Sequence, residues 1–112
     1  MKRRTKEYAL RTIKAVDALP KDMVAQPLGK RLLRSGTSVA ANYCSALHGR
    51  SRAEFIAKLG IVEEECDESL LWMELLVESG HISETRLANL MKEGGEILAI
   101  TVATIKSTRR AQ

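Results

Sequence analysis

The sequence predicts an all-α fold, an antiparallel up-down-up-down four-helix bundle, and three observations carry that expectation. Leu, Ala, Glu, Arg and Lys dominate, while only two Pro and seven Gly are present, so helix formers are abundant and turn material is scarce. Apolar residues recur at three- and four-residue spacing through four stretches of the chain. The breaks between these stretches are short, which favours antiparallel neighbours. With 112 residues, 45% of them hydrophobic, the chain suits one small core, so residues 1–112 are expected to form a single domain.

The first helix is expected from about Thr5 to Leu19, with Ala9, Ile13, Val16 and Leu19 as its apolar stripe and Pro20 as its stop. A polar connector, Lys21-Asp22-Met23, leads to Pro27, whose missing N–H is harmless in the first turn of a helix. Leu28, Leu32, Ser35 or Gly36, Val39, Tyr43 and Leu47 then repeat at helical spacing up to an end near His48-Gly49. Within this second helix, Ser35-Gly36-Thr37-Ser38-Val39-Ala40-Ala41-Asn42 is almost without bulk. Such a run permits close approach by another helix, inside the bundle or from a second subunit, and assigns Ser35, Gly36, Ser38 and Asn42 to packing or interface roles. It holds one Gly and no Gly-Lys-Ser/Thr, so it is not a phosphate loop.

Ser51-Arg52-Ala53-Glu54 is a capping box that starts the third helix. Its core stripe runs through Phe55, Leu59, Val62, Cys66, Ser69 or Leu70, Met73, Leu76 and Val77, and Gly80 closes it as a left-handed cap. Ser83 caps the fourth helix, with Ile82 and Leu87 placed as a hydrophobic staple. Leu87, Leu90, Met91, Ile97 or Leu98, Thr101 and Ile105 form its apolar face. The central pair Gly94-Gly95 costs about 2 kcal/mol of helix propensity relative to two alanines. It marks either a kink or a close backbone contact. Ser107 to Gln112 reads as a frayed basic tail. No apolar run reaches the roughly 20 residues of a membrane span. The basic start, Met1 to Lys6, is not followed by the apolar segment of a secretory signal, so a soluble cytoplasmic protein is expected.

The net charge of +4 conceals a lopsided distribution. Residues 1–52 carry net +9, residues 53–80 carry −7 and residues 81–112 carry +2. The basic half suggests a polyanion partner, and the acidic quarter could neutralise it within one fold or from a neighbouring copy. With the second turn centred between Gly49 and Arg50, Arg34 faces Glu65 and Arg31 faces Glu68, giving two expected ion pairs inside the bundle.

Catalytic and metal chemistry find little support. His48 and His81 fall at opposite ends of the third helix, on the order of 40 Å apart, so no triad or two-histidine site can form within one subunit. The acids Glu63, Glu64, Glu65, Asp67 and Glu68 lack the Glu-x-x-His partners of a two-metal bundle. Cys44 and Cys66 lie roughly 16 Å apart along the bundle axis, beyond disulfide reach, and read as small core residues. No metal, cofactor or enzymatic activity is expected.

The order Leu32-Leu33-Arg34-Ser35-Gly36-Thr37-Ser38-Val39-Ala40-Ala41-Asn42-Tyr43, then Gly49-Arg50-Ser51-Arg52-Ala53-Glu54-Phe55, then Trp72-Met73-Glu74-Leu75-Leu76 and Glu78-Ser79-Gly80, resembles a known family. These are the bacterial four-helix-bundle proteins encoded by intervening sequences of large-subunit ribosomal RNA genes. The resemblance covers nearly the whole chain and is most specific from Leu28 to Gly80. It implies an antiparallel bundle that assembles into a ring-like homopentamer without known catalytic activity. A related branch is the accessory protein of diversity-generating retroelements, a basic pentamer that binds nucleic acid and a reverse transcriptase. The chain departs from the family pattern at Leu33, which leaves Arg34 without its paired arginine, at Ala40 in place of a proline, and at Ser45-Ala46 in place of Glu-Gly.

Together these readings predict a non-enzymatic, oligomeric nucleic-acid-binding protein, with RNA preferred over DNA by the resemblance. Arg3, Arg4, Arg11, Lys14, Lys30, Arg31, Arg109 and Arg110 are its expected phosphate contacts. Aromatic residues are too few for base stacking to dominate. Exposed apolar positions such as Ile56 and Trp72 are expected to face a second copy of the chain. The alternative is a protein-interaction scaffold, for example for a reverse transcriptase, in which basic and acidic helices meet across subunits.

Overall fold

A computed structural model describes residues 1–111 as four helices: α1 (Lys2–Asp17), α2 (Ala25–Leu47), α3 (Arg52–Glu78) and α4 (Glu84–Arg110). They form an all-α bundle of 48 × 20 × 19 Å. Each helix packs on its neighbours in sequence, and α4 returns to close lightly against α1. Consequently α1 and α3 occupy opposite corners, as do α2 and α4. The antiparallel order shows in the contacts of α1 and the connector after it, where Thr12 meets Gly36 and the later Val16 and Leu19 meet the earlier Gly29.

Each helix end has an identifiable cause. Asp22 Oδ1 accepts hydrogen bonds from the Val24 and Ala25 N–H groups at 3.0 and 2.7 Å, so the polar connector is itself the cap of α2. Pro27 sits in the first turn, where its lost donor costs nothing. At α3 the Ser51 hydroxyl accepts from Glu54 N–H at 3.1 Å, while the Glu54 carboxylate reaches back to the N–H of Arg50 rather than that of Ser51. Gly80 ends α3 in the left-handed region at φ 79°, and the Ser83 side chain makes no cap bond to α4.

The core differs from the expected stripes most on α1. Thr5, Tyr8, Ala9 and Thr12 are its buried residues, and Ile13 is 43% exposed. Thr12 turns inward because its hydroxyl is satisfied by the Tyr8 carbonyl at 2.8 Å, leaving only a methyl to pack. Gly36 gives that methyl room: a Cβ there would lie 2.6 Å from Thr12 Cγ2. On α2, Ala46 is buried where Leu47 was expected, and Leu47 is 45% exposed. The stripes of α3 and α4 follow the predicted register, with Leu59, Val62, Cys66, Ser69, Met73 and Leu76 facing Leu87, Leu90, Ile97, Thr101 and Ile105.

Of the two alternatives at Gly94-Gly95, the close contact holds at Gly94. It is buried beneath Tyr8 and Leu70, whereas Gly95 faces open space. The expected basic tail is a correction: α4 continues through Arg110. Thr104 and Thr108 bond the carbonyls four residues back, and Arg52 Nη1 donates to the Ala111 carbonyl at 3.2 Å, satisfying the helix end. Gln112 lies outside the described residues.

Candidate nucleic-acid interface

The cations of residues 1–52 are only partly used within the bundle. Among the described residues, Arg3, Arg4 and Arg34 alone of that set form ion pairs with acids. Arg3 makes an exposed pair with Glu7 one turn along at 3.1 Å. Arg4 is drawn into the seam between α1 and α4, where Nε and Nη2 donate to Glu93 at 2.9 and 2.7 Å and Nη2 also reaches Glu96 at 3.1 Å. These Arg4 bonds, against the opposing effect of burial, hold the Glu93 carboxyl below the usual range. Arg4 is therefore a tie between helices and is removed from the expected phosphate contacts.

The second correction concerns α2. Arg34 grips Glu65 through two hydrogen bonds of 2.9 and 3.1 Å and also takes Glu68 at 3.1 Å. Glu68 is thus engaged by Arg34 and by the Trp72 indole N–H, and Arg31 does not pair with it. Arg31 instead stands over the Trp72 ring, 5.4 Å from its centroid, one turn from Arg34. Glu65 and Glu68 lie one turn apart on α3, so one arginine reaches both and leaves its neighbour to the aromatic face. The pair is asymmetric, with the Arg34 side chain 58% exposed and that of Glu65 only 12%, so solvent at the guanidinium keeps it weaker than a fully buried pair.

The remaining cations separate into distinct regions. Arg11 and Lys14 line a cleft between α1 and α4 together with Arg86 and Asn89, two residues that the sequence reading did not single out. Arg86 and Asn89 are one helical turn apart on α4, and only the antiparallel return of α4 brings them beside α1. Lys2 and Lys6 line the groove between α1 and α2, with Ala40, Ala41 and Cys44. Lys30 is exposed on α2, and Arg109 and Arg110 sit at the far end of α4, about 35 Å from Arg86 along the helix. The expected contacts therefore do not form one patch.

The small-residue run is absorbed largely inside the bundle. Ser35 is buried with its hydroxyl on the Arg31 carbonyl, Gly36 receives Thr12, and Asn42 Nδ2 donates to the Ser38 carbonyl at 2.9 Å. Ile56 and Trp72 are half-buried against the core, which corrects the expectation that they are exposed. The exposed large apolar residues lie elsewhere: Leu10 and Ile13 on α1, Met23 and Val24 in the connector before α2, Leu33 and Leu47 on α2, and Ile61, Leu71 and Leu75 on α3. Both cysteines are free, with Cys66 buried and Cys44 half-buried. Among the described residues no three metal-ligating side chains gather, and no helix is long and apolar enough to cross a membrane.

Comparisons with known proteins agree with this architecture. A protein of unknown function from the S23 ribosomal protein family of Bacteroides thetaiotaomicron, solved by crystallography, superposes with a TM-score of 0.86 at 32% identity over 94% of this chain and 97% of that one. No curated protein matches. The profile of the 23S rRNA-intervening sequence proteins matches residues 1–103, and with the four-helix architecture it shows that the chain belongs to that family.

Proposed function

We propose that this protein is a non-enzymatic, oligomeric nucleic-acid-binding protein that prefers RNA and holds it by phosphate contacts on the α1 side of the bundle. The observation that carries this reading is the diagonal separation of charge. Lys2, Lys6, Arg11, Lys14 and Lys30 surround α1 without acidic partners, whereas Glu64, Asp67, Glu74 and Glu78 lie on α3 at the opposite corner. α3 is not a packing neighbour of α1, so among the described residues its acids do not pair with the α1 lysines within the same subunit, and the charge of Lys2, Lys6, Arg11 and Lys14 remains directed outward. The family's link to ribosomal RNA supports RNA as the polyanion.

The same diagonal supports assembly. Leu10, Ile13 and Leu33 lie among Lys6, Lys14 and Lys30 as well as Glu7 and Asp17, and Leu71 and Leu75 among Asp67, Glu74 and Glu78, so the excess charge of the two surfaces is opposite in sign. A contact between unlike surfaces repeats head to tail and gives a ring where its rotation closes, the case that the pentamer implied by the family resemblance requires. The cleft holding Arg11 and Lys14 lies on the α4 side of α1, next to the Leu10 surface, so its two α1 cations border both.

Titration of labelled RNA and duplex DNA into wild type and into the Arg11→Glu, Lys14→Glu double variant tests the nucleic-acid reading. Affinity should fall with salt along a logarithmic slope of roughly 0.7 to 0.9 per neutralised phosphate. The variant should bind all sequences more weakly to the same degree, since phosphates carry no base information. Absent wild-type binding at low salt, or equal binding by the variant, would transfer the assignment to a protein-interaction scaffold.

A further inference from the structure

We infer that the α1–α4 cleft is a pocket for a terminal phosphate, a phosphomonoester carried on a sugar or ring. The cleft holds about 360 Å³, within the range of about 300–1,000 Å³ typical of small-molecule sites. Arg11 and Lys14 from α1 and Arg86 from α4 line it, and none of the three forms an ion pair among the described residues. The acid whose field reaches Arg11 is Glu93, which Arg4 already holds through two hydrogen bonds. Asn89 adds an amide that can donate and accept, and Ala15, Leu87 and Leu90 supply an apolar floor.

Charge selects the ligand. Three cations that line one cleft and form no ion pair among the described residues, with the nearby Glu93 and Glu7 carboxylates already held by Arg4 and Arg3, favour a group carrying more than one negative charge. A phosphomonoester carries about −1.5 to −2 at neutral pH, whereas each internal phosphodiester of a nucleic acid carries a single charge. The arginines can fork two oxygens each, and the lysine adds a point charge. The apolar floor then suits the sugar or ring attached to the phosphate, which inorganic phosphate lacks. Two sources present this chemistry, a free nucleoside monophosphate and the phosphorylated end of a nucleic-acid strand. The inference deepens the nucleic-acid reading and rests on it only for the second source.

The test uses the isotopically labelled full chain and follows backbone amides by nuclear magnetic resonance. The probes are adenosine monophosphate, adenosine, inorganic phosphate, and one oligoribonucleotide with and without a terminal phosphate. Shifts at Ala15, Asn89 and Leu90 with adenosine monophosphate, absent with adenosine and weaker with inorganic phosphate, are expected. Arg86→Gln and Asn89→Leu, both exposed positions, should each weaken the monophosphate at least about tenfold, roughly the loss of one charge-assisted hydrogen bond. The phosphorylated strand should bind more tightly than its unphosphorylated twin, and that preference should vanish in Arg86→Gln. If the monophosphate binds and neither strand does, the pocket stands and the nucleic-acid reading falls. If both strands bind equally and the monophosphate leaves these amides unmoved, the pocket is overturned and the nucleic-acid reading survives.

Discussion

A Cβ at position 94 would lie 2.7 Å from the Tyr8 hydroxyl oxygen and 2.9 Å from Leu70 Cδ2, whereas one at position 95 would meet nothing within 4 Å. Two adjacent glycines in one helix therefore have opposite consequences. Gly94→Ala should destabilise by about 1 to 3 kcal/mol through overpacking, and Gly95→Ala should stabilise by about 0.5 to 1 kcal/mol through helix propensity. Urea denaturation midpoints moving in opposite directions check both. The sequence announces the pair but not which member is needed, because that depends on Tyr8, 86 positions away in the chain. Beneath Gly94, Ser69 donates its proton to the Cys66 carbonyl at 2.7 Å, so Tyr8 must be the donor in its 2.7 Å bond to Ser69. Burial, reinforced by the field of Asp67, pushes the Cys66 thiol up to about 12, so it stays protonated and donates to the Gly94 carbonyl at 3.2 Å. A thiol reagent at neutral pH is expected to modify Cys44 in the native state and Cys66 only after unfolding. Mass measurement with and without denaturant distinguishes one adduct from two.

At the scale of the helix, the stripes of α3 and α4 were legible because Leu, Ile and Met mark them at regular spacing. That of α1 was not. A reading that ranks Ile13 above Thr12 in hydrophobicity misses that a threonine in a helix can satisfy its own hydroxyl, as Thr12 and Thr101 do on carbonyls four residues back. Nor does local pattern reveal that Arg4 ties α1 to α4 through Glu93, since that pair spans 89 positions. This tie makes acid stability predictable. Arg4 lowers the Glu93 pKa in the folded state, so the stabilisation is complete above the unfolded value, about 4.3, and is lost as pH falls through the folded one. The Asp22 cap follows the same sign, its carboxyl held low first by the Ala25 N–H and further by that of Val24, against burial. Glu93→Gln should therefore lower the urea midpoint at neutral pH, and its deficit relative to wild type should shrink as both are titrated below pH of about 4. A deficit independent of pH would mean that packing, rather than ionisation, makes the tie.

Across the whole molecule, the charge imbalance along the chain was readable by counting, but its direction in space was not. Only the bundle order, with α1 and α3 at opposite corners, converts a basic half and an acidic quarter into two opposed surfaces. The same order decides where exposed apolar side chains fall. Leu71 and Leu75 are 45% and 40% exposed on α3 amid Glu64, Asp67, Glu74 and Glu78, and Leu10 and Ile13 are 51% and 43% exposed on α1 beside Lys6 and Lys14. If these surfaces join between copies, light scattering at micromolar concentration should give a mass well above the 12.4 kDa of one chain. Replacing both Leu71 and Leu75 with Ser should return the monomer without unfolding it, because neither side chain belongs to the buried core. Lys6→Glu should weaken assembly at low salt by setting like charges against each other, and the penalty should fade once ionic strength brings the screening length below about 10 Å. The apolar contribution does not screen, so salt should relieve the Lys6→Glu defect and leave that of the double Ser variant unchanged. A monomeric wild type, or a double variant that assembles normally, would assign the two surfaces to some other partner and remove the ring.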